Sequence, residues 1–531
     1  MKALKSISNK IFEEMDLIKN DFFREVVSVI GSNNTISYYC KLYEALFYDY
    51  LKTYETFINN DAKIIHVIAE IIKWVWEGEI VEDKDFSNID FNVLHNYFQK
   101  VYEVHQSNTA FLSEYFNLFT ANIINDEKVS FTYINKEVDF YEKVNHLLIT
   151  DFQEHKGRKI IEKKEKAKKN GRYLNAQFHA KNLVECDFEL PDDYRILDFT
   201  IGQVKEFWKH LYTDAWNKKS LNVLEFKKFV NKNQEISYDK VNNFKLMEVN
   251  PEKWNLRSLT LDKAKDMLEI LSFNGQKKFN RIHSSLISEP IIKMPDSRYI
   301  IIPSAIFSHE PERYSLQVFD KHISYYQNIG QEVPTDDDRR EVIFVEKLYK
   351  LFRDFKYKKD SVNIPDSDID YIVFDEITKT LICFELKWIT EPFTPSEIKT
   401  KEKPLVKGLE IQLPKYKNAA EGNTLKTLKS AFGNNFDETP VNFYYFVLTN
   451  LTIGSGFLNR STYKIVNIRM LEKALSECEN NLKVLSEILF EERYIKNAGD
   501  FIETTVTTKK CLGIEISQPE FSYKGGFSLE S

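Results

Sequence analysis

The sequence predicts a multidomain chain: a mainly α N-terminal region over 1–180, an α+β middle module over 181–335 and an α/β domain over 336–531. Three observations predict it. The 531 residues include only 16 Gly and 14 Pro, about half the usual share of roughly 12%, so long elements and few tight loops are expected. Apolar residues recur at three- and four-residue spacing through the first 155 positions, the mark of amphipathic helices. After Pro334 short apolar strands alternate with helical stretches, the order of one sheet flanked by helices. A length of 531 residues suits three or four units at about 150 residues each. With 43% hydrophobic and 29% charged residues, wholesale disorder and collagen-like or linker-dominated architectures are excluded.

In the N-terminal region, helices are predicted over Ile11–Val29, Tyr38–Phe57, Ile64–Val75 and Val93–Phe119. No period of 20 to 50 residues marks a solenoid. His66, His95, His105 and His146 stand singly among apolar neighbours and read as satisfied structural residues. Lys156–Arg172 then carries nine Lys/Arg against two Glu, although the whole chain has a net charge of −7. Such a run contacts phosphates or forms a solvated helix face. In the middle module, Tyr299-Ile300-Ile301-Ile302 is a strand entered from the turn Pro295-Asp296-Ser297, and Ser304–Tyr326 is partly helical. The last third opens with a helix, Asp336–Phe355, whose apolar face is read as Val342, Val345, Tyr349 and Phe352. Strands follow at Asp368–Phe374, Leu381–Trp388, Val441–Thr449 and Tyr463–Ile468, then a helix over Met470–Leu489.

Five dispersed cysteines without a CxxC fit a reducing compartment and leave no cysteine zinc site. The start of the chain has no stretch like a signal peptide, and the most apolar run, Ile64–Trp76, is shorter than the ~20 residues of a membrane span. A soluble cytoplasmic protein with no membrane partner is expected.

The chemistry concentrates in the hairpin. If Glu376–Lys379 is a four-residue loop, Asp375 faces Thr380, Phe374 faces Leu381, and Asp370 lies opposite Glu385. Alternation puts Glu385 and Lys387 on one face, and opposed residues have Cβ atoms about 5 Å apart. Two carboxylates and a lysine therefore converge on one patch of sheet. Opposed like charges in an apolar hairpin are destabilising unless compensated, and a divalent cation is the natural compensator. Glu346, at the border of the helix's apolar face, is expected to bring a third carboxylate to the patch.

Asp370, fourteen residues, then Glu385-Leu386-Lys387, after a helix bearing Glu346, resembles the PD-(D/E)XK nuclease superfamily. A literal Pro365-Asp366 also occurs ahead of it, and Asp366, Asp368 and Asp370 all alternate onto one face if the strand starts early. The resemblance covers roughly Asp336 to Ile468 and implies a restriction-endonuclease-like core of order α-β-β-β-α-β. It implies that Asp370 and Glu385 hold Mg²⁺ or Mn²⁺, with the Leu386 carbonyl assisting. Lys387 would activate or position water, and Glu346 would be the acidic residue of the first helix. Gln412-Leu413-Pro414-Lys415-Tyr416 resembles the Gln-x-x-x-Tyr of RecB-type members. Proline is tolerated only in a first turn, so that helix must begin near Leu413.

Bare Glu-x-Lys is uninformative in so charged a chain, recurring at Glu82, Glu154, Glu162 and Glu397. What separates Glu385-Leu386-Lys387 is its apolar strand and its hairpin partner Asp370. Lys399, Lys401 and Lys403 follow that strand and are candidate nucleic-acid contacts. Arg172 and His179 match the Arg/His spacing of HEPN-type ribonucleases, without the polar residue that usually follows the Arg; Tyr173 stands there. The expected activity is metal-dependent phosphodiester hydrolysis on DNA, with RNA less favoured. Restriction, repair or anti-phage defence is the role the resemblance implies. Residues 1–335 would select the target, a partner protein or a second copy, and would fold without cleaving. The competing reading is a non-catalytic nucleic-acid-binding or scaffold protein.

Overall fold

The computed structural model describes residues 2–524 apart from 51–56, 126, 170–175, 231–237, 275–284, 366, 391, 393–394, 494, 496–497 and 512. Asp366 and Arg172 lie outside the described residues. Helices dominate the N-terminal region, as the apolar spacing predicts, over Lys2–Phe22, Ser32–Tyr50, Phe57–Glu77, Phe91–Tyr115 and Lys136–Lys169. Asp90 caps the fourth by accepting from the Asn92 N–H at 2.9 Å.

Two strands not foreseen from the sequence, Phe119–Asn125 and Lys128–Tyr133, interrupt this region. They join a C-terminal hairpin, Ile502–Cys511 with Ile514–Tyr523, through the parallel pairing of Ile516 with Val129. Cys511, Ile514 and Ile516 thereby enter the same core as the first helices. The chain's last elements thus complete its first region, across the boundaries drawn from sequence.

The middle module holds the helices Ile201–Val230 and Pro311–Asn328 and a four-stranded sheet. The strand Tyr299–Ile301 lies in that sheet and is reached through Ser297 at φ 67°.

In the last third a five-stranded mixed sheet runs in the spatial order Lys464–Asn467, Asn442–Thr449, Thr380–Lys387, Ser367–Asp375 and Tyr357–Ile364. The last three form an antiparallel meander, and the first three are mutually parallel. Tyr357–Ile364 is so polar along YKKDSVNI that no apolar run announces it. The opening helix, Asp337–Leu351, turns Phe344, Val345 and Leu348 to this sheet, continued by Phe352. Val342 is 53% exposed, so the apolar face predicted from Val342 is rotated. The bulkier Phe344 and Leu348 set the face at true 3.6-residue spacing. The predicted Met470–Leu489 helix is two, Ile468–Glu477 and Leu482–Phe490, broken where Glu479 and Asn480 take φ of 48° and 59°. The helix Lys136–Lys169 also docks here through Val144, Leu147 and Leu148.

Candidate active site

The hairpin adopts the register expected from its loop, with Asp375 opposite Thr380, Phe374 opposite Leu381 and Tyr371 opposite Phe384. Continued by one residue, it brings Asp370 beside Glu385. The Leu386 N–H donates to Asp370 Oδ2 at 2.7 Å, which ties the first carboxylate to the second strand. Glu385 is only 2% exposed. The parallel strand Asn442–Thr449 covers its other side, with Val447 as its neighbour.

Tyr416 joins the two acids. Its hydroxyl donates to Glu385 Oε2 and lies 3.2 Å from Asp370 Oδ1. A phenol has one proton to give. If it goes to Glu385, the approach of Asp370 to the same oxygen is favourable when Asp370 carries a proton of its own. Burial first, and the charge of Glu385 second, hold the Asp370 carboxyl well above the usual carboxylate range. Burial and the same two carboxylates push the Tyr416 phenol far up, keeping it a neutral donor. Lys387 pairs with Glu385 Oε1 and also donates to the Leu386 carbonyl at 3.1 Å. Asp370, Glu385, Lys387 and Tyr416 thus form one connected cluster.

The turn that delivers Tyr416 is built around a proline. Pro414 has no N–H for the Glu410 carbonyl four residues back. A wider π turn, Gly408–Gln412, absorbs that break between the helices Pro395–Lys407 and Leu413–Gly422. The second helix starts at Leu413, where the proline requires it. Gln412 accepts from Ser367 Oγ at 3.3 Å, near the entry to the Asp370 strand and outside the acid cluster.

Other expected residues lie elsewhere. Glu346 is exposed and borders a shallow hollow with Tyr349, Lys350 and Arg353, which no residue of the acid cluster lines. The acidic residue of that helix whose charge reaches Asp370 is Glu341. Glu341, itself exposed, stands three, four and seven residues before Phe344, Val345 and Leu348. Lys401 bonds Thr390 Oγ1 instead of facing solvent. Lys399 lies over the Phe457 ring at 3.4 Å and 3.9 Å from Glu402. Lys403 is exposed. In the basic run, Lys156 pairs with Asp187 at 2.7 Å inside the fold, and Lys163 pairs with Glu185 at 3.3 Å on the surface. His179 is buried and stacks on Trp216 with ring centroids 4.7 Å apart.

Among the described residues, no group of three or more His, Cys, Asp or Glu side chains is arranged to hold a metal ion. Two carboxylates and a backbone carbonyl still suit Mg²⁺, which is commonly held by one or two carboxylates with water completing its shell. The unfavourable closeness of Asp370 and Glu385 is the feature a cation would relieve. No family model matches the chain, and neither a curated protein nor a solved structure does.

Proposed function

We propose that the chain is a divalent-metal-dependent nuclease that hydrolyses phosphodiester bonds in DNA, with RNA the less favoured substrate. One observation carries this reading: two carboxylates, Asp370 and Glu385, are forced together at the end of an apolar hairpin, with the Lys387 ammonium against one of them. The sheet order supports it, because a helix, an antiparallel meander and a parallel strand reached through a helix follow the α-β-β-β-α-β sequence of the restriction-endonuclease-like core.

Asp370 and Glu385 would hold Mg²⁺ or Mn²⁺, with the Leu386 carbonyl beside them. Bound there, such an ion supplies a Lewis acid for a phosphoryl oxygen and a lowered pKa for water. Glu385 holds the Lys387 ammonium at the cluster, where it orients an attacking water and offsets charge that develops on the phosphate. Tyr416 fixes the direction of both carboxylates. Glu341 adds negative charge from the helix side. Exposed Lys403 is placed for backbone phosphate, whereas Lys401 is not.

A scaffold reading draws on the gathering of only two carboxylates. Cleavage of linear, circular and single-stranded DNA and of RNA, with Mg²⁺, Mn²⁺ or EDTA, separates the two. Wild type should cut only with metal, and Asp370→Ala and Lys387→Ala should each lose about 10²-fold or more, the usual scale of a positioned acid–base or electrostatic group. Equal cutting by wild type and variants would place the chemistry elsewhere. No cutting together with no Mn²⁺ binding would favour the scaffold.

A further inference from the structure

A second cavity, of about 90 Å³, lies between the helix Lys136–Lys169 and the helix Pro395–Lys407. Pro392 and Leu451, which follow the strands Thr380–Lys387 and Asn442–Thr449, also line it. It therefore opens beyond the carboxyl ends of two parallel strands, the usual place for ligands in open α/β sheets.

The lining is apolar at Ile149, Ile398, Leu405 and Leu451 and acidic at Glu142 and Glu402. Glu402 is already satisfied: Ser455 donates to it through its backbone N–H at 3.0 Å and through its hydroxyl, and Lys399 lies 3.9 Å away. Glu142 has no such partner among the described residues. Neither basic residue of the wall neutralises it. Lys401 is turned to Thr390, and burial pushes the His146 imidazole down to about 4, so it is neutral. Burial and the charge of Glu402 together push the Glu142 carboxyl up to about 7. A desolvated carboxylate in an apolar pocket is costly until a cation reaches it.

We infer that this cavity is a binding site for a small organic cation, an ammonium or amidinium carried on an apolar body, with Glu142 as its counter-ion. The apolar walls take the body, and the carboxylate takes the charged head. A bare metal ion would leave the apolar walls unused.

The probe is benzamidine, compared with neutral benzamide, in thermal unfolding of the full chain. Benzamidine should raise the Tm saturably and benzamide should not. Glu142→Gln, which removes the ionisable group and keeps the side chain's shape, should fold and lose the response. Ile149→Phe, which fills the cavity without touching either acid, should lose it too. Equal shifts with the two probes, no shift with benzamidine, or an undiminished response in both variants would overturn the inference. Because the readout is binding, it stands or fails independently of any cleavage activity.

Discussion

Tyr416 decides whether two carboxylates can share the hairpin's end. Its hydroxyl donates to Glu385 and lies within reach of Asp370, so it links the two carboxyls into one hydrogen-bonded unit. Tyr416→Phe keeps the buried ring and removes only that bridge. The expected result is a folded protein whose Mn²⁺ affinity, measured by calorimetry, falls about 10- to 100-fold, the usual cost of losing a group that orients metal ligands. Unchanged affinity would remove Tyr416 from the site. Residue types at this scale were readable from sequence because strand alternation and a four-residue loop leave one register for Asp370 and Glu385. Glu346 was misplaced for a different reason. Its position was inferred from a face beginning at Val342, and packing chose Phe344 and Leu348 as the anchors. A helix face is a competition between bulky side chains, and sequence spacing alone does not show which of them the sheet can accept.

At the scale of elements, the π turn Gly408–Gln412 is the joint that holds Tyr416 over the sheet. A Cβ on Gly408 would lie 2.9 Å from Val447 Cγ2 and 3.4 Å from Glu385 Cγ. The glycine is therefore required by close approach of the turn to the strands, and its φ is not a left-handed one. Gly408→Ala should cost about 1–3 kcal/mol in urea unfolding, as overpacking does, and should shift Glu385. Gly422→Ala is the control. A Cβ added at Gly422 would meet nothing within 4 Å, and the residue ends the helix Leu413–Gly422, so the change should be near neutral or stabilising by less than about 1 kcal/mol. Equal effects from the two changes would show that the turn does not press on the site. The helices and apolar strands were legible because their periodicity is strong. The strand Tyr357–Ile364 was not, since an edge strand needs only one apolar side and carries mostly polar residues.

Across the whole molecule, regions far apart in sequence are tied together by buried contacts that no local pattern announces. The pairing of Ile514–Tyr523 with Lys128–Tyr133 joins residues nearly 400 positions apart, which is why boundaries drawn along the chain missed it. A second tie is Glu44, on the helix Ser32–Tyr50, which is fully buried. It accepts from Asn222 Nδ2 at 3.0 Å, on the helix Ile201–Val230, and from Ser304 Oγ at 2.9 Å, after the strand Tyr299–Ile301. Burial pushes its carboxyl up to about 7 from 4.5, and the hydrogen bonds from Ser304 and Asn222 only partly oppose this. The folded form thus binds the Glu44 proton more tightly than the unfolded chain does. Its contribution to stability is fully present below pH 4.5 and is lost as pH rises through about 7. The shift corresponds to about 3 kcal/mol at most. Glu44→Gln cannot ionise, and it gives up one acceptor facing the Asn222 and Ser304 donors. It should therefore be less stable than wild type near pH 5 and recover relative to it by about 2–3 kcal/mol near pH 8. Urea midpoints of the two proteins at both pH values read this directly. A difference that stays flat with pH would mean that Glu44 is held ionised and that the contacts among the two helices and Ser304 rest on its charge.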